Sequence, residues 1–201
     1  MNKKLVVASN NTHKISEIKA ILSKLNIEVI SLREANIDID VEEDGITFID
    51  NARKKAQVIF DMLKGEAMVL ADDSGIAVEA LDGAPGVFSA RFAGEHGNDK
   101  RNNQKLLKLM EGKQNRKAKF VCAMVLFING DNVIEVQGEV HGVVAEEVKG
   151  NEGFGYDPIF YIPQYAKTFG ELSSTIKNTM SHRAQALNKL EDAFKEYLQG
   201  E

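Results

Sequence analysis

Met68-Val69-Leu70-Ala71-Asp72-Asp73-Ser74-Gly75 is the stretch on which the reading of this chain turns. A short apolar run, the mark of a buried strand, leads into two adjacent carboxylates, a hydroxyl and a glycine, so the strand is expected to leave the core here. Carboxylates at a strand end can hold a hard cation. Magnesium takes oxygen ligands, usually one or two carboxylates, and fills its other positions with waters and substrate phosphate. Gly75 allows a sharp turn, and the Ser74 hydroxyl can reach a phosphate or cap that turn. By itself the run is also ordinary turn chemistry, so its meaning depends on what surrounds it.

Upstream, Lys3 to Ala8 reads as a buried strand that empties into Ser9-Asn10-Asn11-Thr12-His13-Lys14. Apolar residues then fall at Ile15, Ile18, Ile21, Leu22 and Leu25, which is helical spacing. Polar groups and free N–H groups at a helix N-terminus suit an anion, and Lys14 adds a full positive charge. The loop is not a Walker motif, and a plain Asn/Thr helix cap with a solvated lysine reads the same residues equally well. A second strand is expected over Ile27 to Leu32, followed by an acidic stretch that ends in Glu42-Glu43-Asp44-Gly45. Thr47 with Asp50 resembles a capping box opening a helix to about Lys64. Phe48, Ala52, Lys55, Ala56, Ile59 and Leu63 share one face of that helix. A lysine there must either snorkel to the edge or face a cleft holding anions.

Downstream, Leu81 to Gly97 is too rich in glycine for a core element, and Asp99 is expected to cap a helix carrying Leu106, Leu107 and Met110. Ala118 to Ile128 and Val133 to Val144, joined by Asn129-Gly130, read as a hairpin. The mixture of βα units with a long hairpin gives an α/β or α+β fold rather than a pure doubly wound sheet. Gly150 to Pro158 is loop-like yet carries Phe154 and Tyr156 between glycines, either a stacking face for a planar base or rings folded back on the core. The last helix presents Leu187, Leu190, Phe194 and Leu198. Lys177, Ser181, His182 and Arg183 stand at or before its start, where a basic cluster opposes the helix dipole unless an anion or carbonyl sits beside it.

A chain of 201 residues with 43% hydrophobic content can bury a sizeable core as one large domain or two joined lobes. The 25 Lys and Arg against 30 Asp and Glu give −5, which argues against a nucleic-acid partner while leaving a free nucleotide possible. The single cysteine, Cys122, lies in an apolar run and reads as a buried thiol. No signal peptide or membrane span is visible, so a soluble cytoplasmic protein with no membrane partner is expected.

Taken together, Ser9-x-Asn11-x-x-Lys14, Glu42-Glu43-x-Gly45-x-Thr47-Phe48-x-x-Asn51-Ala52, Ala71-Asp72-Asp73-Ser74-Gly75 and Ala84-Pro85-Gly86-Val87-x-Ser89-Ala90-Arg91 form an ordered set. With Phe154-Gly155-Tyr156-Asp157-Pro158-Ile159-Phe160 and Ser181-His182-Arg183, the chain closely resembles the inosine/xanthosine triphosphate pyrophosphatases. That resemblance implies a mixed α/β fold, a long bent central sheet flanked by helices in a single domain of two lobes with a cleft between them, usually in a homodimer. It also implies magnesium-dependent hydrolysis of ITP, XTP and dITP to the monophosphate and pyrophosphate.

Residue by residue, the resemblance implies that Ser9, Asn10, Asn11, Thr12, His13 and Lys14 hold the triphosphate. Asp73 becomes the central catalytic carboxylate, with Glu42 its partner in holding magnesium, Ser74 touching substrate and Lys55 facing the phosphates. Phe154, Gly155, Tyr156 and Asp157 are expected to stack on and border the base, and Lys177, His182 and Arg183 to close around base and sugar. Ile176 stands where many members have glutamate and His13 where others often have glycine, departures that touch substrate preference more than the reaction. Because a carboxylate bound to a dication is a weak base, a metal role for Asp73 is favoured over proton abstraction. Hypoxanthine and xanthine present a 6-oxo acceptor and an N1 donor where adenine presents the reverse, so donors from Arg183, His182 or the backbone would reject adenine.

Overall fold

The computed structural model describes residues 3–22 and 27–200. Leu25, expected on the first helix, lies outside them. Among the described residues, seven strands and five α-helices follow in the order β1 (Lys3–Val7), α1 (Thr12–Leu22), β2 (Ile27–Ser31), α2 (Phe48–Met62), β3 (Met68–Val78), α3 (Asp99–Leu109), β4 (Lys117–Phe127), β5 (Val133–Val144), β6 (Phe160–Ile162), β7 (Lys167–Thr168), α4 (Ser174–Met180) and α5 (His182–Gly200). The strands are hydrogen-bonded in the order β2-β1-β3-β4-β5-β6-β7. β1 pairs in parallel with both β2 and β3, while β6 is antiparallel to β5 and to β7, so the sheet is mixed as expected.

The chain divides into two compact units, one made of residues up to Asp73, Cys122–Gly138 and those from Arg183 on, the other of Ser74–Val121 and Glu139–His182. In the first, side chains alternate across the sheet with the period of two that a strand dictates. Leu5, Val7, Met68, Leu70, Cys122, Met124 and Leu126 face one way, against Ile18 and Leu22 of α1 and Ala186, Leu187, Leu190 and Phe194 of α5. Val6, Ala8, Val69, Ala71, Val125 and Phe127 face the other way, against Ala52, Ala56, Ile59 and Phe60 of α2. The second unit packs Ile76, Val78, Phe120, Val140 and Phe160 against Leu106 and Met110 of α3 and against Phe169.

Several local expectations change. β3 does not end at Leu70; it runs unbroken through Asp72-Asp73-Ser74-Gly75 to Val78. Gly75 is needed there for close approach and not for a turn: a Cβ would lie 2.3 Å from the Ser89 hydroxyl oxygen and 2.7 Å from the Gly86 carbonyl. Thr47 caps α2 as expected, its hydroxyl accepting from the Asp50 N–H. The cap of α3 is Asn98, one residue before Asp99, because the Asn98 amide oxygen accepts from the Arg101 N–H and leaves Asp99 inside the first turn. Lys177 sits on a separate short helix, α4. Leu198 follows Leu187, Leu190 and Phe194 on one face of α5 but is exposed, close to the helix's C-terminal end.

Candidate active site

The alternation of β3 separates the two adjacent aspartates. Asp72 continues the row of Met68 and Leu70 toward α1 and α5; Asp73 continues the row of Val69 and Ala71 toward α2. Each therefore meets a different set of partners, and neither is solvated, at 1% and 5% exposure.

Asp72 is an internal counter-ion. Its Oδ2 lies 3.1 Å from the Lys14 ammonium and 3.0 Å from the Arg183 guanidinium, with the Cys122 sulfur 3.9 Å away. Arg183 in turn donates to Glu17 at 2.6 Å. Burial alone would raise the Asp72 pKa, but Lys14 and Arg183 outweigh it and hold the carboxyl well below the usual range. Arg183, expected beside base and sugar, has its guanidinium fully buried against two carboxylates of the same unit. In sequence, Asp72 carries the same cation-holding role as Asp73 and Glu17 carries none, since nothing in the order of residues shows that one of two neighbouring aspartates turns inward.

On the opposite face, Asp73 accepts from the Asn51 amide at 3.0 Å. Burial pushes its pKa up, Glu43 adds to the rise, and Lys55 and Asn51 oppose it without reversing it. Lys55 is itself buried, as the apolar face of α2 foretold, and resolves the question raised by its position: its ammonium donates to Glu43 at 2.5 Å and to the Asp72 carbonyl at 2.7 Å. Burial works against its charge, but Asp73, Glu43 and Asp72 together raise its pKa. The acidic segment thus reaches Lys55 through Glu43, whereas Glu42 is exposed.

The loop before α1 is tightly organised. The Ser9 hydroxyl accepts from the Asn11 N–H at 3.1 Å, and the Asn11 side-chain oxygen accepts from His13 and Lys14 N–H groups at 3.0 and 3.1 Å. Asn11 is therefore the helix cap, and the exposed Asn10, Thr12 and His13 surround it.

In the second unit, the turn at residues 153–157 is held from three sides. The Phe154 N–H donates to Asp157 Oδ2 at 2.9 Å, the Gly155 N–H to Asp99 at 2.7 Å, and the Asn103 amide to the Gly155 carbonyl at 3.0 Å. Asp99, expected only as a helix cap, and Asn103, which the sequence did not single out, lie one turn apart on α3. Gly153 has a positive φ of 77°, and a Cβ there would fall 2.0 Å from Asp157 Oδ2. Of the two expected stacking rings, only Phe154 remains partly accessible. Tyr156 is buried, its hydroxyl donating to the Ser89 carbonyl at 2.8 Å. Lys177 and Asp157 form a buried ion pair, and the Lys177 ammonium lies 4.9 Å from the Phe154 ring centre. His182 stacks on Phe120, ring centres 4.7 Å apart, and Ser74 is half-buried.

Among the described residues, no group of three or more His, Cys, Asp or Glu side chains is arranged to hold a metal by itself. No helix among them is long and apolar enough to cross a membrane.

A Ham1 family model matches residues 5–193. A dITP/XTP pyrophosphatase of Clostridium tetani is 54% identical over 198 residues, covering 98% of this chain and 98% of its own. One of Clostridium perfringens is 52% identical over 199 residues, covering 96% and 98%. Among solved structures, the Staphylococcus aureus Ham1 protein superposes with a TM-score of 0.87 at 40% identity, over 97% of this chain and 100% of that one. A HAM1 protein from Coxiella burnetii gives 0.88 at 39% identity, over 96% and 99%.

Proposed function

This chain belongs to the Ham1 family, and from that premise we propose that it hydrolyses non-standard purine nucleoside triphosphates, namely ITP, dITP and XTP, to the monophosphate and pyrophosphate. Relatives that share about half of its residues over nearly their whole length carry the name dITP/XTP pyrophosphatase. The observation within the molecule that best supports the reading is the buried Asp73, raised in pKa and set beside Lys55, while its neighbour Asp72 is neutralised by cations of its own. Burial and charged partners that perturb a carboxylate in this way mark a candidate catalytic position.

A nucleoside triphosphate has two chemically distinct ends, and each unit offers residues suited to one. In the first unit, Lys14 and Lys55 supply cations for phosphate oxygens, and the Ser9 to Thr12 loop supplies polar groups. Both lysines are already held by carboxylates, so phosphate would share or replace partners that keep the ammonium groups in place before substrate arrives. The donor set fits magnesium: Asp73 is a buried oxygen donor, and Glu43 is committed to Lys55, which leaves Glu42 as the second carboxylate. Bound by Asp73 and Glu42, magnesium would neutralise charge on the phosphates and lower the pKa of a coordinated water. Lys55 then stabilises the charge that develops as the bond to the leaving pyrophosphate breaks; one such group is commonly worth roughly 10²- to 10³-fold in rate.

In the second unit, Phe154 offers a ring for a purine, with Lys177 close to that ring and Asp157 fixing both the lysine and the turn. The proposal extends to a homodimer, checked by the mass in solution, and to a cytoplasmic setting.

The test is product analysis of ITP incubated with the protein and magnesium, with GTP and ATP alongside. IMP and pyrophosphate from ITP, with little product from GTP or ATP, is the expected result. IDP and orthophosphate would make the protein a terminal phosphatase, and binding without turnover would make it a nucleotide-binding module.

A further inference from the structure

Two side chains of α2, Asn51 and Lys55, lie one helical turn apart on the face that meets β3. Each spans the same gap. Lys55 joins Glu43 to the Asp72 carbonyl. Asn51, fully buried, joins the backbone of Gly45 to the side chain of Asp73: its amide oxygen accepts the Gly45 N–H at 2.7 Å and its amide nitrogen donates to Asp73 Oδ2 at 3.0 Å. The bridge fits only because residue 45 has no side chain, since a Cβ there would lie 2.7 Å from the Asn51 amide oxygen and 2.9 Å from the Asp50 Cβ.

We propose that Asn51 is the positioning residue of the metal site, holding the Glu42-to-Gly45 segment against Asp73 so that their carboxylates are presented together at a fixed separation and rotation. The inference rests on the reading of Asp73 and Glu42 as the metal-bearing pair. An amide suits the bridge. It donates toward the carboxylate and accepts from the backbone at once, without adding a charge that would compete with the cation. Lys55 repeats the same connection with charge, so the helix grips the acidic segment at two points.

The experiment compares wild type, Asn51→Ala, Gly45→Ala and the double variant. Mn²⁺ is titrated into each in the presence of a non-hydrolysable α,β-methylene analogue of ITP, and the loss of the free-ion EPR signal is followed. Both single variants are expected to weaken Mn²⁺ binding about 10- to 100-fold, the usual effect of removing a group that orients metal ligands, and the double variant to be no worse than the weaker single one. Turnover of ITP at saturating magnesium should lose kcat while KM is kept within about twofold. Mn²⁺ affinity unchanged in Asn51→Ala, or losses that add in the double variant, would overturn the proposal. If Asn51→Ala does not fold, Gly45→Ala carries the same prediction and the same refutation. A wild-type protein that binds Mn²⁺ and does not cleave ITP would sink the proposed function alone, and the affinity comparison would still decide the role of Asn51.

Discussion

Replacing each of the two adjacent aspartates by asparagine should give opposite results, although the substitutions are chemically identical and one residue apart. Asp72→Asn removes the charge that neutralises Lys14 and Arg183 at 3.1 and 3.0 Å and leaves those cations facing one another, while Glu17 still pairs with Arg183. Breaking a buried pair from one side costs about 3–5 kcal/mol. For a chain of this length that lowers Tm by roughly 6 to 20 °C. Asp73→Asn removes a charge that burial already disfavours, keeps an oxygen to accept from Asn51, and leaves Lys55 with Glu43 and the Asp72 carbonyl. Its Tm should equal or exceed that of the wild type while turnover of ITP is abolished. The pH dependence carries the sign. The pKa of Asp72 is lower folded than unfolded, so its contribution is present above the unfolded value of 3.8 and is lost as pH falls below it. The gap in stability between wild type and Asp72→Asn should therefore be full at pH 7 and narrow below about pH 4. Calorimetry from pH 3 to pH 8 measures both variants. An Asp73→Asn protein as destabilised as Asp72→Asn would refute the separation of the two side chains onto opposite faces.

Other substitutions probe the second unit and the core. Gly153→Ala places a Cβ against Asp157 at a positive φ, so it should detach the Phe154 turn and raise KM for ITP about tenfold with kcat retained, consistent with losing a stacking contact worth roughly 1–3 kcal/mol. Tyr156→Phe leaves the Ser89 carbonyl without the phenol that donates to it and should cost about 1–3 kcal/mol in urea unfolding, with little effect on turnover. Burial pushes the Cys122 thiol up to about 12, so the native protein should not react with a disulfide reagent at pH 8, while the urea-unfolded chain releases one equivalent.

Much of the architecture was legible because it depends on periodicity. The apolar spacing of α1 and α2, the Thr47 cap and the hairpin around Asn129-Gly130 all follow from local rules that the structure keeps. The run Asp72-Asp73-Ser74-Gly75 reads as a strand exit in sequence because polar residues in a strand ordinarily mark its departure from the core, whereas β3 continues through it. Here buried cations from α1, α2 and α5 satisfy them instead, and those partners lie up to 111 positions away in the chain. The same distance in sequence hid Glu17 behind Arg183, and Asp99 and Asn103 behind the Phe154 turn. Lys55 was legible as an anomaly, a cation on an apolar face, though not which carboxylate it would choose. Tyr156 and Phe154 looked alike in sequence; only the phenol oxygen, which finds the Ser89 carbonyl, separates their fates.

The unbroken β3 also makes Asp-Asp a recorder of strand phase. Insertion or deletion of a single residue between Met68 and Ala71 would preserve both carboxylates and almost all of the local composition. It would nonetheless turn each one to the face where the other belongs. After a deletion Lys14 and Arg183 would meet the residue meant for Asn51 and Lys55, after an insertion they would meet Ala71, and the two aspartates cannot stand in for each other however similar they look on paper.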